Sequence, residues 1–288
     1  MKIYAKLSLI SLTLTVAPLL IVLAFFYRYS NDSIKSEIFS KLEVITKLKA
    51  DKLEKFFENC RSDLTNNRSH ISARTYLPVL ARLVGARDNV AYVEAKRIMD
   101  TQLNIFLESH PHFSDIILLD VRGQIVYTAN PDHTSLIGRR LPGPDPEAFE
   151  KAKAGIYVGQ IFSSEDKKYP YGMLLAAPVY DNQNQFCGVV AHLLDAEAIY
   201  RITQDKTGLE HSGETLLVRR LSDAAVLFIS PLRYEPNAVL HKQIPIGGPH
   251  GIAAQRAVQG KNGIGRSSDY RGVDTLSCWR YLPGLGWG

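Results

Sequence analysis

The chain has 288 residues, 45% hydrophobic and 22% charged, with a mean hydropathy of −0.08. These values exclude a wholly disordered, collagen-like or multi-span membrane protein, and at about 100–200 residues per domain they accommodate one large or two small folded units. Thirty-four Lys and Arg against 29 Asp and Glu leave +5, with no run of five like charges, so no nucleic-acid partner is expected.

Leu7–Tyr27 is an uncharged run of 21 residues, LSLISLTLTVAPLLIVLAFFY. As a helix rising about 1.5 Å per residue it spans the roughly 30 Å of a bilayer core. Lys2 and Lys6 precede it, so residues 1–6 are expected in the cytoplasm and everything after Arg28 outside, in the periplasm or exterior. A cleaved signal peptide is the rival reading. It needs a shorter apolar core of about 7–15 residues and small residues at its exit, where Phe25, Phe26 and Tyr27 stand instead. Pro18 is tolerable inside a span and predicts a kink.

Residues 28–75 read as one long membrane-proximal helix. Ser30–Ser33 offer caps, and Ile34, Ile38, Leu42, Ile45 and Leu48 recur at steps of three and four, continued by Leu53, Phe56, Phe57 and Cys60. Such a stripe is buried on its own domain or on a second copy of the helix; the pattern accommodates both. Thr75–Leu83 and Val90–Leu107 continue the helical period.

The period then becomes sheet-like. Asp115–Asp120 and Gln124–Ala129 predict a hairpin with Gly123 in the turn. A Pro/Gly-rich link, Leu141–Pro146, leads to a short helix, Glu147–Ala154, ended by Gly155. Strands are expected at Ile156–Phe162, Met173–Tyr180 and Phe186–Leu194, the last two joined through Asp181–Asn184. Asp195 then caps a connecting helix to Gln204. A second, smaller round follows: strands Thr215–Arg219 and Ala225–Ser230, a helix Ile252–Gln259, and a final hairpin of Arg266–Tyr270 with Val273–Leu282. The expected fold class is α+β: a transmembrane helix, a long helix, then two tandem antiparallel-sheet modules.

Several of these stretches resemble the extracytoplasmic double Cache sensor regions of bacterial membrane receptors. They are Ser212–Val218 (SGETLLV), Asp269–Val273 (DYRGV) and Trp279–Trp287 (WRYLPGLGW), with Ala177–Asp181 (APVYD), Gly188–Val190 and Asp195 in the earlier half. The resemblance covers roughly residues 30–288. It implies two PAS-like modules, a membrane-distal one at 76–204 that holds a small-molecule ligand and a membrane-proximal one at 205–288. It also implies dimers formed through the long helices and a signal passed across the membrane to a histidine kinase of two-component type, a chemoreceptor or a diguanylate cyclase. Members of this family continue past Gly-Trp-Gly into a last strand and a second span, so the chain is expected to be a fragment, the alternative being a truncated product that binds without signalling alone. The pattern by which some members recognise amino acids, an Arg-x-Trp-Tyr cluster and a late Asp, is absent: the comparable stretch begins Arg139-Arg140-Leu141, and the Asp position falls nearest Leu193.

The candidate ligand-binding residues are therefore an inventory. Tyr127, Tyr157, Tyr169 and Tyr171 combine an apolar ring with a hydrogen-bonding tip. Arg139 and Arg140 are suited to a bidentate grip on a carboxylate. His192 lies in an apolar strand, and Asp195 reaches an amine from a strand end. Sheet packing, a solvated loop, a satisfied core histidine and an N-cap are the simpler readings of the same residues. His110-Pro-His112 with Asp115 has metal-compatible types but reads as a turn. Gly260–Gly265 is not a phosphate loop, because its Lys precedes the glycines, and no nucleophile-elbow or zinc-hydrolase motif occurs. Cys60, Cys187 and Cys278 form no CxxC pair; the last two read as core, and Cys60 is placed for an inter-chain disulfide. No cofactor, metal or catalytic role is expected of this chain. A membrane-tethered periplasmic enzyme using His192, Asp195 and Glu214, or a protein-docking module, is the rival class.

Overall fold

The computed structural model describes residues 2–141, 145–209 and 211–288, with side chains from Leu12 onward. The Pro142–Pro144 part of the expected link lies outside the described residues. Helix and antiparallel sheet are mixed as expected.

The candidate span and the long helix are one element. Helix α1 runs unbroken over Lys2–Ser69, 68 residues with Pro18 inside. Ser30–Ser33 do not cap it, because their backbone groups are already used by the turns on either side. Its apolar first part packs on nothing among the described residues, which suits a lipid-facing segment. Further along, Ala50, Leu53, Phe57, Cys60 and Leu64 are buried at steps of three and four. The stripe departs from expectation at Ile34 and Ile38, which are exposed, and again at Leu48. Leu48 is 54% exposed, and the inward position belongs to Lys49. The Lys49 ammonium donates to the carbonyls of Thr203 and Asp205 at 2.8 and 2.6 Å and to Thr215 Oγ1 at 2.8 Å. Burial lowers its pKa, opposed by the nearby Asp205 carboxylate.

His70 accepts a hydrogen bond from the Ser72 amide and opens α2, Ile71–Leu83; Asn89 does the same through Ala91 for α3, Val90–Ser109. Six strands follow in one antiparallel sheet: β1 (Phe113–Leu119), β2 (Ile125–Thr128), β3 (Tyr157–Val158), β4 (Phe162–Ser163), β5 (Tyr171–Tyr180) and β6 (Phe186–Asp195). Their order is β2-β1-β6-β5-β3, with β4 also on β5. β5 and β6 form a long hairpin, and β6 sits centrally because Ile116 and Leu175 both lie opposite His192. Gly188 in β6 has φ +149, and a Cβ there would run into the Leu119 carbonyl of β1. Only glycine allows this approach. One face of the sheet, through Leu118, Leu175, Ala177 and Val190, packs on α1, α2 and α3. The short helix α4, Ala148–Ala154, covers the other.

Helix α5, Glu197–Thr203, leads to the second half, where the strands fall into two sheets. One contains β7 (Val218–Ser222), β8 (Ala225–Phe228) and β9 (Gln243–Pro245); the other is the hairpin of β10 (Gly263–Ser268) and β11 (Asp274–Trp279), with α6 (Ile252–Val258) packed on both. β7 starts later than expected: the Leu217 amide bonds to the Ser230 hydroxyl instead of joining a ladder. Trp287, fully buried, joins the halves. Its ring meets Phe57 of α1 edge-on at 5.6 Å, and its indole N–H donates to Gln160 Oε1 at 2.9 Å.

Candidate sensory site

The face of the six-stranded sheet turned away from α1 is apolar apart from the buried Asp115 and its partner Thr128. Ile117, Leu119, Ile125, Leu174, Ala176, Val189, Ala191 and Leu193 lie under Ala148, Phe149 and Ala152 of α4, with Tyr157 and Phe162 beside them. The alanines on both sides keep helix and sheet close.

Two polar clusters fasten this cover. Asp115 is the one carboxylate in β1 and is fully buried. It accepts from Thr128 Oγ1 and from the amides of Ala129 and Asn130, and its Oδ2 lies 2.9 Å from Nδ1 of His133. His133 stands in the 3-10 turn Pro131–Leu136, opened by the Asn130 side chain capping the Asp132 amide. Its Nε2 lies 3.0 Å from Asp166 Oδ2. Both ring nitrogens face carboxylates, which only accept, so the ring donates from both and carries a positive charge. The Asp115 hydrogen bond, opposed by burial and helped by Asp166, raises His133 to about 9. The His133 hydrogen bond holds Asp166 below the usual carboxylate range.

In the second cluster Asp145 Oδ2 accepts from Lys151 of α4 at 2.8 Å and from the Tyr157 phenol at 2.8 Å. The Lys151 bond lowers the Asp145 carboxyl, with Tyr157 adding to it, while burial and then Asp145 raise the phenol. One cluster thus ties the 3-10 turn to the sheet and to Asp166, and the other ties α4 to β3.

The eight candidate residues do not converge. Tyr127 faces α3, fully buried, donating to Asp100 at 2.9 Å, with Lys96 on the other Asp100 oxygen at 2.6 Å. Burial first, then Asp100, pushes its phenol up. Tyr171 is also on the helix side, edge-to-face with Tyr200 of α5 at 6.2 Å. His192, completely buried, meets Asn67 of α1 at 3.0 Å and is pushed down to about 3 by burial and by His110 and His112. Asp195 accepts from the Glu197 amide at 3.0 Å, one residue earlier than a formal cap of α5. Tyr157 alone lies under the cover. Tyr169 is half-buried, with the Lys168 ammonium over its ring at 5.1 Å. The Arg139 and Arg140 side chains are exposed; the Arg139 carbonyl holds the Ile125 amide at 2.8 Å. Asp115, His133, Asp145 and Asp166 were not singled out as ligand candidates. The one signal for them was a carboxylate at the head of an apolar strand.

Cavities also lie elsewhere among the described residues. One of about 730 Å³ lies between α3 and the 3-10 turn, against Tyr92, Lys96, Asp100, Thr134 and Ile137. Another, about 800 Å³, separates α1 (Ile38, Leu42, Lys49) from residues 213–218 and β11. The second opens on the edge of β7, where Val218 and Gly288 exchange backbone hydrogen bonds of 2.9 and 2.8 Å.

The sequence model of the Cache domain matches residues 30–288. The chain belongs to the Cache domain family. No curated protein matches it. Among solved structures, this Cache chain is similar to the periplasmic sensory domain of the Campylobacter jejuni chemoreceptor Tlp1, at 17% identity and TM-score 0.53 over 85% of this chain and 90% of that one. That likeness is one of fold. An extracellular ligand-binding receptor from Desulfohalobium retbaense is similar at 15% identity and TM-score 0.49 over 78% of this chain. The chain spans 35% of that receptor's length. The sensor domain of the V. cholerae histidine kinase DctB is similar at 18% identity and TM-score 0.43 over 74% of this chain and 71% of that one.

Proposed function

We propose that this Cache chain is the small-molecule sensing region of a membrane-anchored receptor, with 76–204 as the distal, ligand-holding module and 205–288 as the proximal one. One observation carries the reading. The six-stranded sheet has an apolar face under a polar-fastened cover and, on its reverse, packs against the same helix that runs into the candidate membrane span. A ligand that enters under the cover and binds one arrangement of the cover better than another shifts the sheet, and α1 with it. Equal affinity for both shifts nothing. A micromolar ligand supplies about 8 kcal/mol at standard state, ample for a small helix displacement. Pairing of two α1 helices in a homodimer and output to a two-component histidine kinase complete the reading; a chemoreceptor or a cyclase accepts the same input. The 800 Å³ cavity carries less weight, because it lies in the second half and touches no residue of the six-stranded sheet.

The test is thermal unfolding of the chain from Ser30 against carboxylates, amino acids, amines, nucleobases and metal salts. A binder at 100 times its Kd stabilises by about 2.7 kcal/mol, a rise of a few degrees. The expected rise is abolished by Tyr157→Ala and retained in Tyr127→Phe, on the opposite face. A rise that Tyr157→Ala leaves intact and Thr46→Trp, at the 800 Å³ cavity, abolishes moves the site to the second half.

A further inference from the structure

Where the distal sheet meets α1, three histidines from two elements gather against one stretch of the helix. His110 and His112 lie in the link between α3 and β1, and His192 is in β6. Each engages its own α1 residue. The His112 ring lies edge-on to Phe56 at 5.3 Å, His110 Nε2 is 3.8 Å from Asp63 Oδ1, and Asn67 Nδ2 is 3.0 Å from His192 Nε2. Phenylalanines fill the gaps: Phe106 of α3 stacks on His110 at 4.1 Å, and Phe113 of β1 lies 4.3 Å from His112 and 4.7 Å from His192. Asn67 Nδ2 donates, so His192 Nε2 accepts and the ring proton sits on Nδ1, which is buried without a partner.

The charges acting on this cluster are few. From α1 comes Asp63, from the link His110 and His112, and from β6 His192 itself; α3 contributes the Phe106 ring and the Phe106 carbonyl, which bonds His110 Nδ1 at 2.9 Å. One carboxylate thus stands against three imidazoles in an aromatic setting. That one carboxylate offsets a single positive charge; each further proton taken up by the cluster has no counter-ion.

We propose that His110, His112 and His192 form an acid-sensitive latch that docks α1 on the sheet at neutral pH and releases it as pH falls. The proposal stands without any ligand, and ligand sensing stands without it. Its sign follows from the environment. Burial lowers the pKa of both His112 and His192 in the docked state, whereas a released histidine regains its ordinary value near 6.5. Docking is therefore fully favoured above about pH 6.5. Below that it weakens about tenfold per pH unit for each histidine that takes up a proton on release.

Amide exchange on the full chain in lipid nanodiscs tests this. Protection over residues 56–69 is compared at pH 7.5 and 5.5 after correction for the chemical exchange rate. The expected result is a loss of about tenfold or more in that stretch while the β5–β6 amides keep theirs. In a His112→Phe, His192→Gln double variant, which retains a partner for Asn67, the stretch stays protected at both values. Asp63→Asn leaves the onset near pH 6.5, where the released histidines titrate, and deepens the loss below it, because the docked cluster loses its one counter-charge. Wild-type protection that ignores pH overturns the latch, as does equal loss in the double variant or in β5–β6. If the double variant does not fold, a loss below about pH 6.5 that Asp63→Asn does not deepen overturns it alone.

Discussion

His133 is the residue on which most of the cover's polar bonding turns. Its side chain is 12% exposed between two carboxylates, one of them fully buried, so its charge is screened little by water. His133→Gln is expected to lower stability by about 2–3 kcal/mol, because it leaves Asp115 buried without its cation. The pH dependence follows from the raised pKa. A histidine at about 9 in the folded state and about 6.5 in the unfolded one contributes fully below 6.5 and loses that contribution as pH rises through 9. Thermal unfolding of the wild type therefore falls between pH 7 and 9.5, and the variant shows a flatter profile. Gly188 gives a second residue-scale prediction. Gly188→Ala forces a Cβ toward the Leu119 carbonyl at φ +149, and a loss of more than about 3 kcal/mol is expected in denaturant titration.

At the scale of elements, the α1 stripe shows where sequence reading succeeds and where it stops. Leu53, Phe57 and Cys60 were legible, since apolar spacing of three and four has one interpretation on a helix. Lys49 was not. Its burial depends on two carbonyls and a hydroxyl more than 150 residues away. Lys49→Ala leaves those acceptors unpaired, and a cost of about 2–4 kcal/mol by chemical denaturation is expected. Phe57→Ala opens a void beside Trp287 and is expected to cost about 3–5 kcal/mol by the same measurement. The strands of the large sheet were readable from alternation and turn residues, but β9, at three residues, was too short to show a period. The site was the least legible part. Tyr127 and Tyr157 look alike in sequence, and which face each takes is fixed by strand register and by the course of the cover. Asp115, His133 and Asp166 lie 18 and 33 residues apart across a 3-10 turn, a spacing that carries no motif.

For the molecule as a whole, the continuity of α1 matters more than any single contact. Its 68 residues extend about 100 Å, from the candidate span to the far side of the large sheet. An α-helix turns about 100° per residue, so the face presented at Phe57 and the face presented at Leu19 hold a fixed angular phase. Inserting one alanine between Tyr29 and Lys41 advances that phase by about 100°, whereas seven return it to within about 20°. Neither touches the sheet. Signal output from a receptor carrying these insertions is expected to fail with one residue and to recover with seven, while unfolding temperature stays level in both. On the sensing reading proposed above, the helix works as a drive shaft, in which angle, and not length, is the quantity conveyed.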